Sequence, residues 1–157
     1  RHTVAVPLYE QLELLKKNKV AVVCGILSGT LASLTGIFVL CMLFGFNHQQ
    51  YVTMLPKSIT TAIGIGISEE LGGIVTITVA VIIITGILGN VIADTVFHIF
   101  KIKNPLAKGL ALGTASHAIG TARAIEMGPV EGAMSSLAVA VAGLLTVVFV
   151  SGFAQLI

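Results

Sequence analysis

The chain has 157 residues, of which 55% are hydrophobic and only 10% are charged, with a formal net charge of +2. A soluble globular domain carries roughly 25% charged residues, so this chain has too little polar surface to cover itself in water. The small net charge, with no basic stripe among aromatic residues, argues against nucleic-acid binding. Together with a mean hydropathy of +1.01, the composition predicts an integral membrane protein that has the lipid bilayer as its main partner.

Three apolar segments without a formal charge are long enough to span a membrane, which takes about 20 residues. They cover 20–46, 71–93 and 134–157. Because a helix satisfies its own backbone hydrogen bonds in lipid, we expect an all-α fold, that of a polytopic helical membrane protein. We treat residues 1–157 as a single transmembrane domain.

A polar stretch over 114–126 holds a histidine, an arginine, a glutamate and several hydroxyl side chains in this otherwise apolar chain. An earlier stretch resembles it at a spacing of 56 residues, since Thr-Thr-Ala-Ile-Gly at 60–64 matches Ser-His-Ala-Ile-Gly at 116–120. Both stretches contain glycines that weaken a helix. The sequence therefore predicts an internal repeat.

Each predicted repeat unit consists of a long helix followed by a broken or re-entrant helix. The units cover about 16–74 and 72–130, and a final helix covers 134–157. If each broken segment enters the membrane and returns, the two units are inverted relative to each other. If each crosses fully, 47–70 and 104–128 become additional spans. The first arrangement places two lysine groups on one face, as the positive-inside tendency favours, but the sequence leaves both open. These lysines are Lys16, Lys17, Lys19, Lys101, Lys103 and Lys108.

Two polar, glycine-broken segments at equivalent positions indicate a substrate site in a transporter. The guanidinium of Arg123 has the shape to bind a carboxylate, and His117 titrates near neutral pH when unperturbed. A structural role is the alternative for each: an ion pair between Arg123 and Glu126 one helical turn apart, and a hydrogen bond from His117 between helices. The predicted substrate-binding residues are Ser116, His117, Gly120, Thr121 and Arg123, with Lys57, Ser58, Thr60 and Thr61 closing the site from the first unit.

Other polar residues receive simpler interpretations. Lys57 also fits a side chain that extends toward the membrane surface. We expect Asp94 to act as a helix cap or to pair with Lys101 or Lys103. Ser116 and His117 are adjacent and face different directions on a helix, so they do not predict a nucleophile–base pair. We expect no enzyme activity, no cofactor and, because no Cys/His ligand spacing occurs, no metal site.

Several of these motifs together resemble the LrgB/CidB family of membrane proteins along essentially the whole chain. The motifs are Pro56-Lys57-Ser58, Thr60-Thr61, Ser68-Glu69, Thr85-Gly86 and, most distinctively, Ser116-His117-Ala118-Ile119-Gly120-Thr121-Ala122-Arg123-Ala124. One departure is Ala62, where the family often has a proline. Family members are typically longer at the N-terminus, so the resemblance implies that this chain corresponds to their C-terminal two thirds.

The resemblance implies two functions. Some members are carriers of small monocarboxylates, namely pyruvate in bacteria and glycolate with glycerate in the plastid envelope. Others are holin/antiholin-like proteins that act with LrgA/CidA-like membrane partners to control murein hydrolase export and autolysis. We expect transport of a small carboxylate, with proton coupling as an option, and keep the antiholin-like regulator as the alternative. The resemblance further implies a homo-oligomer in the bacterial plasma membrane, or in the plastid inner envelope if the source is a plant.

Overall fold

A computed structural model describes residues 13–157, and within that range the structure is helical, with no strand. Residues 13–17 form a short helical segment before Asn18. The helices that follow are α1 (Lys19–Phe44), α2 (His48–Met54), α3 (Thr61–Glu70), α4 (Val75–Ile99), α5 (Pro105–Met127) and α6 (Pro129–Ala154). The predicted all-α fold of a helical membrane protein is confirmed.

Helices α1, α4 and α6 are the three in the described part of the chain that are long and apolar enough to cross a membrane. The first and last residues of these helices differ from those of the predicted spans by a few positions. Helix α1 ends one residue before Gly45, which takes a left-handed φ of 66°, a conformation that glycine adopts without strain. Helix α6 begins at Pro129 because proline suits the first position of a helix. Helix α4 continues past Asp94 to Ile99.

Helix α5 contains a sharp break at His117 that folds it into a hairpin. A Cβ added to Gly109 would lie 3.0 Å from Cα of Glu131, and one added to Gly113 would lie 2.7 Å from Cβ of Ala138. These contacts show that the first arm runs parallel to α6. After the break the chain returns, because Thr121 bonds Ser135 and Ile125 packs against Gly132. The 105–127 segment therefore enters and leaves on the same side, which the sequence left open.

The segment that contains α2 and α3 folds back in the same way. Thr78 Oγ1 at the start of α4 donates to the Thr53 carbonyl at 2.9 Å and bonds Ser68 Oγ at 2.8 Å. Thr53 belongs to α2 and Ser68 to α3, so both arms meet the same turn of α4. Nearer the tip, the backbone of Gly64 lies against Pro56. Residues 48–70 thus also form a re-entrant hairpin. In chain order we call 48–70 the first hairpin and 105–127 the second hairpin.

The two hairpins enter from opposite faces because α1 and α4 run in opposite directions. Val22 at the start of α1 and Met134 at the start of α6 pack with Leu110, near the start of α5. At the other end, Cys41 packs with Tyr51, and the Tyr51 hydroxyl donates to Phe153 O at 2.8 Å. Helix α4 starts beside α2 and ends beside α5. We call the end that contains α2 the Tyr51 face and the end that contains the start of α5 the Lys108 face.

Candidate functional site

The first hairpin is broken over residues 55–60, between α2 and α3. Pro56 has no backbone N–H to continue the helix, and the chain turns so that Lys57 N donates to Met54 O at 3.2 Å. Thr60 then takes an extended conformation and serves as the N-cap of α3 without a side-chain cap bond. The break leaves the first backbone N–H groups of α3 without the usual hydroxyl acceptor.

Lys57 and Ser58 lie at the tip of this hairpin. Lys57 Nζ donates to Ser58 Oγ at 2.8 Å, and Ser33 Oγ from α1 donates to the same oxygen at 2.9 Å. The tip is thereby fixed against α1. Within residues 13–157 the ion pairs are those of Arg123, so the Lys57 ammonium has no carboxylate partner in the described part of the chain.

The Lys57 ammonium borders an open cleft of about 830 Å³ between α1 and the first arm of α5. Hydroxyls, amides and small side chains form most of its wall, and Lys57 is the one lining residue with a formal charge among the described residues. The lining comprises Asn18, Ala21, Gly25, Ser28, Gly29, Ala32, Ser33, Lys57, Ser58, Asn104, Leu106, Ala107, Leu110, Ala111, Thr114 and Ala115. Among the described residues no carboxylate lines the cleft, so it is suited to an anion.

A much smaller cavity of about 10 Å³ lies beside the cleft and shares Ser33, Ser58 and Thr114 with it. This volume is about the minimum that holds one water molecule. Thr30 Oγ1 lines this cavity, is almost fully buried, and has no hydrogen-bond partner among the described residues. Buried hydroxyls are rarely left unpaired. Thr146 from α6 adds a further hydroxyl to the lining, and we call this space the hydroxyl chamber.

The second hairpin turns at His117, which has a φ of 42° and a ψ of −139°. The side chain is buried, and Nε2 lies 2.9 Å from the carbonyl oxygen of Ile82 in α4. That geometry requires a proton on Nε2, which donates to the carbonyl. The imidazole fits because a Cβ on Gly86 would lie only 2.8 Å from its Cε1. His117 therefore connects the break to α4.

The neighbouring polar groups also stabilise this break. Asn90 Nδ2 donates to Ile119 O at 3.1 Å, and Thr121 Oγ1 donates to His117 O at 3.0 Å while lying 2.8 Å from Ser135 Oγ. Gly120 permits the close turn, since a Cβ there would lie 2.8 Å from the carbonyl oxygen of Leu112. These contacts satisfy backbone groups that the break leaves without helical partners.

Arg123 lies on the outside of the second arm, where its side chain is 32% exposed. Its Nη1 donates to Glu126 Oε2 at 2.6 Å, and its Nη2 pairs with Asp94 of α4. The expected pairing of Asp94 with Lys101 or Lys103 was wrong, because the second hairpin brings the Arg123 guanidinium to the side of α4 that carries Asp94. The two carboxylates hold the pKa of Arg123 above its usual value.

The predicted substrate-binding residues fall into separate groups. Lys57 and Ser58 line the cleft, together with Thr114, and Thr60 and Thr61 lie at the half-buried start of α3. The other five, Ser116, His117, Gly120, Thr121 and Arg123, lie outside the cleft lining. Substrate binding by any of these residues stays a prediction.

Sequence reasoning missed the contribution of α1 to the cleft. Gly25, Gly29 and Ser33 lie at four-residue spacing and line it from one side of the helix. That spacing is a detectable signal, because residues four apart share a helix face. It does not, however, distinguish a cleft wall from a helix-packing surface. Thr30 carries no sequence signal, since only its burial beside Ser58 distinguishes it from other threonines.

The geometry defines a class: a polytopic α-helical membrane protein with two re-entrant hairpins that meet inside the molecule. Comparison with known proteins then gives the family. The model of the LrgB-like family matches residues 3–156, and the chain belongs to the LrgB family. No solved structure matches the chain.

Relatives of the chain include antiholin-like proteins LrgB from Bacillus species. The protein of Bacillus subtilis (strain 168) is 40% identical over 153 residues, which cover 98% of this chain and 66% of the relative. Those of Bacillus cereus (strain B4264) and Bacillus anthracis (strain CDC 684 / NRRL 3495) are each 42% identical over 149 residues, covering 95% of this chain and 65% of the relative. This chain thus spans about two thirds of their length.

Proposed function

We propose that this protein carries small monocarboxylates across a membrane, and that Lys57 binds the carboxylate in the cleft between α1 and α5. The observation that carries the proposal is the position of Lys57: it is the one formal charge in a cleft without carboxylates, as far as the described residues go. Pyruvate, glycolate and glycerate are the substrates that the resemblance suggests.

The electrostatics of the cleft support an anionic ligand. A charged side chain within a membrane protein is costly unless it is paired or solvated, and Lys57 has only the hydroxyl of Ser58 as a bonding partner among the described residues. A bound carboxylate would offset that cost, and Ser33 and Thr114 could donate to its oxygens by turning their hydroxyls away from Ser58 Oγ and Leu110 O, to which they donate in this structure. The cleft volume of about 830 Å³ falls within the range of ligand pockets, about 300–1,000 Å³.

The arrangement of the hairpins also supports a carrier. In many transporters the substrate lies where discontinuous helices of two inverted repeats meet near the bilayer midplane. Here Ser58 of the first break and Thr114, close to the second break, border the same chamber. Adding 56 to the residue numbers that bound α1 gives 75–100, and α4 covers Val75–Ile99. The two helices therefore lie at the spacing of the predicted repeat. The repeat over 16–74 and 72–130 remains a prediction that this agreement supports.

The second candidate function is that of an antiholin-like regulator acting with an LrgA/CidA-like membrane partner. The name of the relatives, antiholin-like protein LrgB, supports this candidate function more directly than it supports transport. A regulator of this kind would act by assembly in the bacterial plasma membrane, as a homo-oligomer or with its partner. Control of murein hydrolase export and autolysis belongs to this candidate.

The test is uptake of labelled pyruvate and glycolate by the protein reconstituted in liposomes, with and without a pH gradient. We expect saturable uptake that falls at least about tenfold in Lys57→Gln, equivalent to about 1.4 kcal/mol of lost interaction. Lys16→Gln is the control, because it removes an exposed lysine outside the cleft lining and should leave uptake unchanged.

Membrane potential measured in the same liposomes separates the two candidate functions. A carrier leaves the potential intact in the absence of substrate. Equal uptake by Lys57→Gln and the intact protein would exclude Lys57 from the site. No saturable uptake by correctly inserted protein, together with collapse of the potential, would favour the assembly-based regulator.

A further inference from the structure

A second pair of cavities lies between α4 and α5, next to the cleft, with which one of them shares Ala111 and Ala115. The larger, of about 570 Å³, opens at the Lys108 face between the end of α4 and the start of α5. Its lining is mainly polar and basic, and consists of Asp94, Phe97, His98, Lys101, Ile102, Lys103 and Lys108. We call it the lysine pocket.

The charges of the lysine pocket favour an anion. Three lysines line it against the single carboxylate of Asp94, and that carboxylate is already paired with Arg123. Lys108 Nζ lies 5.9 Å from the centroid of the Phe97 ring, within the range of a cation–π contact. This contact places the Lys108 ammonium beside Phe97, which lines both cavities.

The smaller cavity is an apolar groove of about 160 Å³ between α4 and α5. It shares Phe97 with the lysine pocket, so the two spaces adjoin. Its lining is Gly89, Ile92, Ala93, Val96, Phe97, Ala111, Leu112, Ala115 and Ser116. The groove therefore leads from the Lys108 face toward Ser116, the residue before the break of α5.

We propose that the lysine pocket and the apolar groove together bind one anionic phospholipid. Its phosphate would lie among Lys101, Lys103 and Lys108, and one acyl chain would lie in the groove along Val96. A phospholipid carries a negatively charged phosphate close to its apolar chains, so one molecule can fill both adjoining cavities. A soluble phosphate could occupy only the lysine pocket. The proposal does not rest on the proposed function and does not involve Lys57, although the apolar groove and the cleft share Ala111 and Ala115 as lining residues.

The surroundings fit a lipid. Ile99 and Phe100, at the end of α4, are 65% and 71% exposed beside the pocket, as expected of side chains that face lipid at the membrane interface. The Lys108 face also carries Lys19, the first residue of α1, and Lys16 and Lys17 in the segment just before it. Basic residues cluster on the cytoplasmic side, where anionic headgroups attract them. A lipid seated here would hold α4 and α5 together beside Ser116.

The test compares retention of phosphatidylglycerol and phosphatidylcholine, with identical acyl chains, by the purified full chain in native mass spectrometry. We expect phosphatidylglycerol to be retained preferentially. The triple variant Lys101→Gln/Lys103→Gln/Lys108→Gln should reduce its retention at least about tenfold, because each basic residue near an anionic surface contributes to binding.

The matched control is Lys16→Gln/Lys17→Gln/Lys19→Gln, which removes the same charge from the same face outside both cavities. It should lower retention less than about twofold. Equal losses in the two triple variants would overturn the proposal, since the effect would then be one of overall surface charge.

A second variant, Val96→Trp, fills the groove without changing a charge. It should reduce retention of long-chain phosphatidylglycerol, and unchanged retention would overturn the assignment of the acyl chain to the groove.

A competition experiment uses inorganic phosphate. If millimolar phosphate displaced the lipid fully, the pocket would be a soluble-anion site and the proposal would fail.

Discussion

The two re-entrant hairpins share a plan and differ in how their breaks are stabilised. The first hairpin is interrupted over six residues, 55–60, and exposes the Lys57 ammonium and Ser58 to the cleft. The second is interrupted at one residue, His117, whose side chain bonds the carbonyl of Ile82 in α4. The first break is open to a ligand, whereas the second is closed against its neighbours.

This difference shows that polar composition alone does not locate a binding site. The two motifs are about equally polar in sequence, yet in the second motif Ser135, Ile82 and Asn90 provide partners for its hydroxyl, imidazole and backbone groups. Buried polar groups that are fully hydrogen-bonded specify structure. In the first motif Lys57 lacks a carboxylate partner among the described residues, so this motif is the better candidate for binding.

The largest effect should come from packing behind the second hairpin. A Cβ on Gly113 would overlap the carbonyl oxygen of Ser135 and lie 2.7 Å from Cβ of Ala138. Neither backbone oxygen nor Cβ can rotate away, so Gly113→Ala should separate α5 from α6 and destabilise the protein by about 2–3 kcal/mol. Unfolding in detergent micelles measures the change.

Two matched glycines sharpen this prediction. At Gly64 in the first hairpin the nearest atom is Cδ1 of Ile82, which can change rotamer, so Gly64→Ala should cost less than about 1 kcal/mol. At Gly36 nothing lies within 4 Å, so Gly36→Ala should stabilise by about 0.5–1 kcal/mol through helix propensity. Similar losses at Gly113 and Gly36 would show that α5 and α6 do not pack as described.

An intermediate effect is expected at the break itself. His117 has a positive φ, which a residue other than glycine adopts only at a cost. His117→Ala loses the bond to Ile82 O and keeps the backbone conformation, whereas His117→Gly loses the same bond and relieves the strain. His117→Gly should therefore be more stable than His117→Ala by about 1 kcal/mol in thermal unfolding.

The first hairpin supplies the control for this comparison. Thr60 has a φ of −63°, which any residue adopts, so Thr60→Gly should be no more stable than Thr60→Ala. If the glycine variant were more stable than the alanine variant by the same amount at both positions, the positive φ of His117 would not explain the difference between the two breaks.

The smallest effect is expected at Arg123. Its guanidinium is partly exposed and pairs with Asp94 and Glu126, and exposed pairs contribute little to stability. Arg123→Lys keeps the charge and should change carboxylate uptake less than about twofold. A loss as large as that of Lys57→Gln in the same liposome assay would instead place Arg123 in the substrate site.

The sequence predicted much of this architecture because its signals are local. The three spanning helices follow from uncharged segments, and the matched motifs at 60–64 and 116–120 lie at or next to the two breaks, although Gly64 itself falls inside α3. The error at Asp94 has a physical reason: its partner, Arg123, is 29 residues away in sequence. A long-range ion pair depends on which face of α4 the second hairpin packs against.

By itself, the sequence determined the membrane environment, the all-α fold and the position of the polar segments, since hydropathy and helix-breaking residues act over a few turns of chain. Only the tertiary structure decided that the polar segments return instead of crossing, because that depends on both arms of a hairpin meeting the same turn of a neighbouring helix. It also decided that Lys57 borders the cleft while Arg123 lies outside it. Partners for buried polar groups come from other helices, and their positions are fixed by packing.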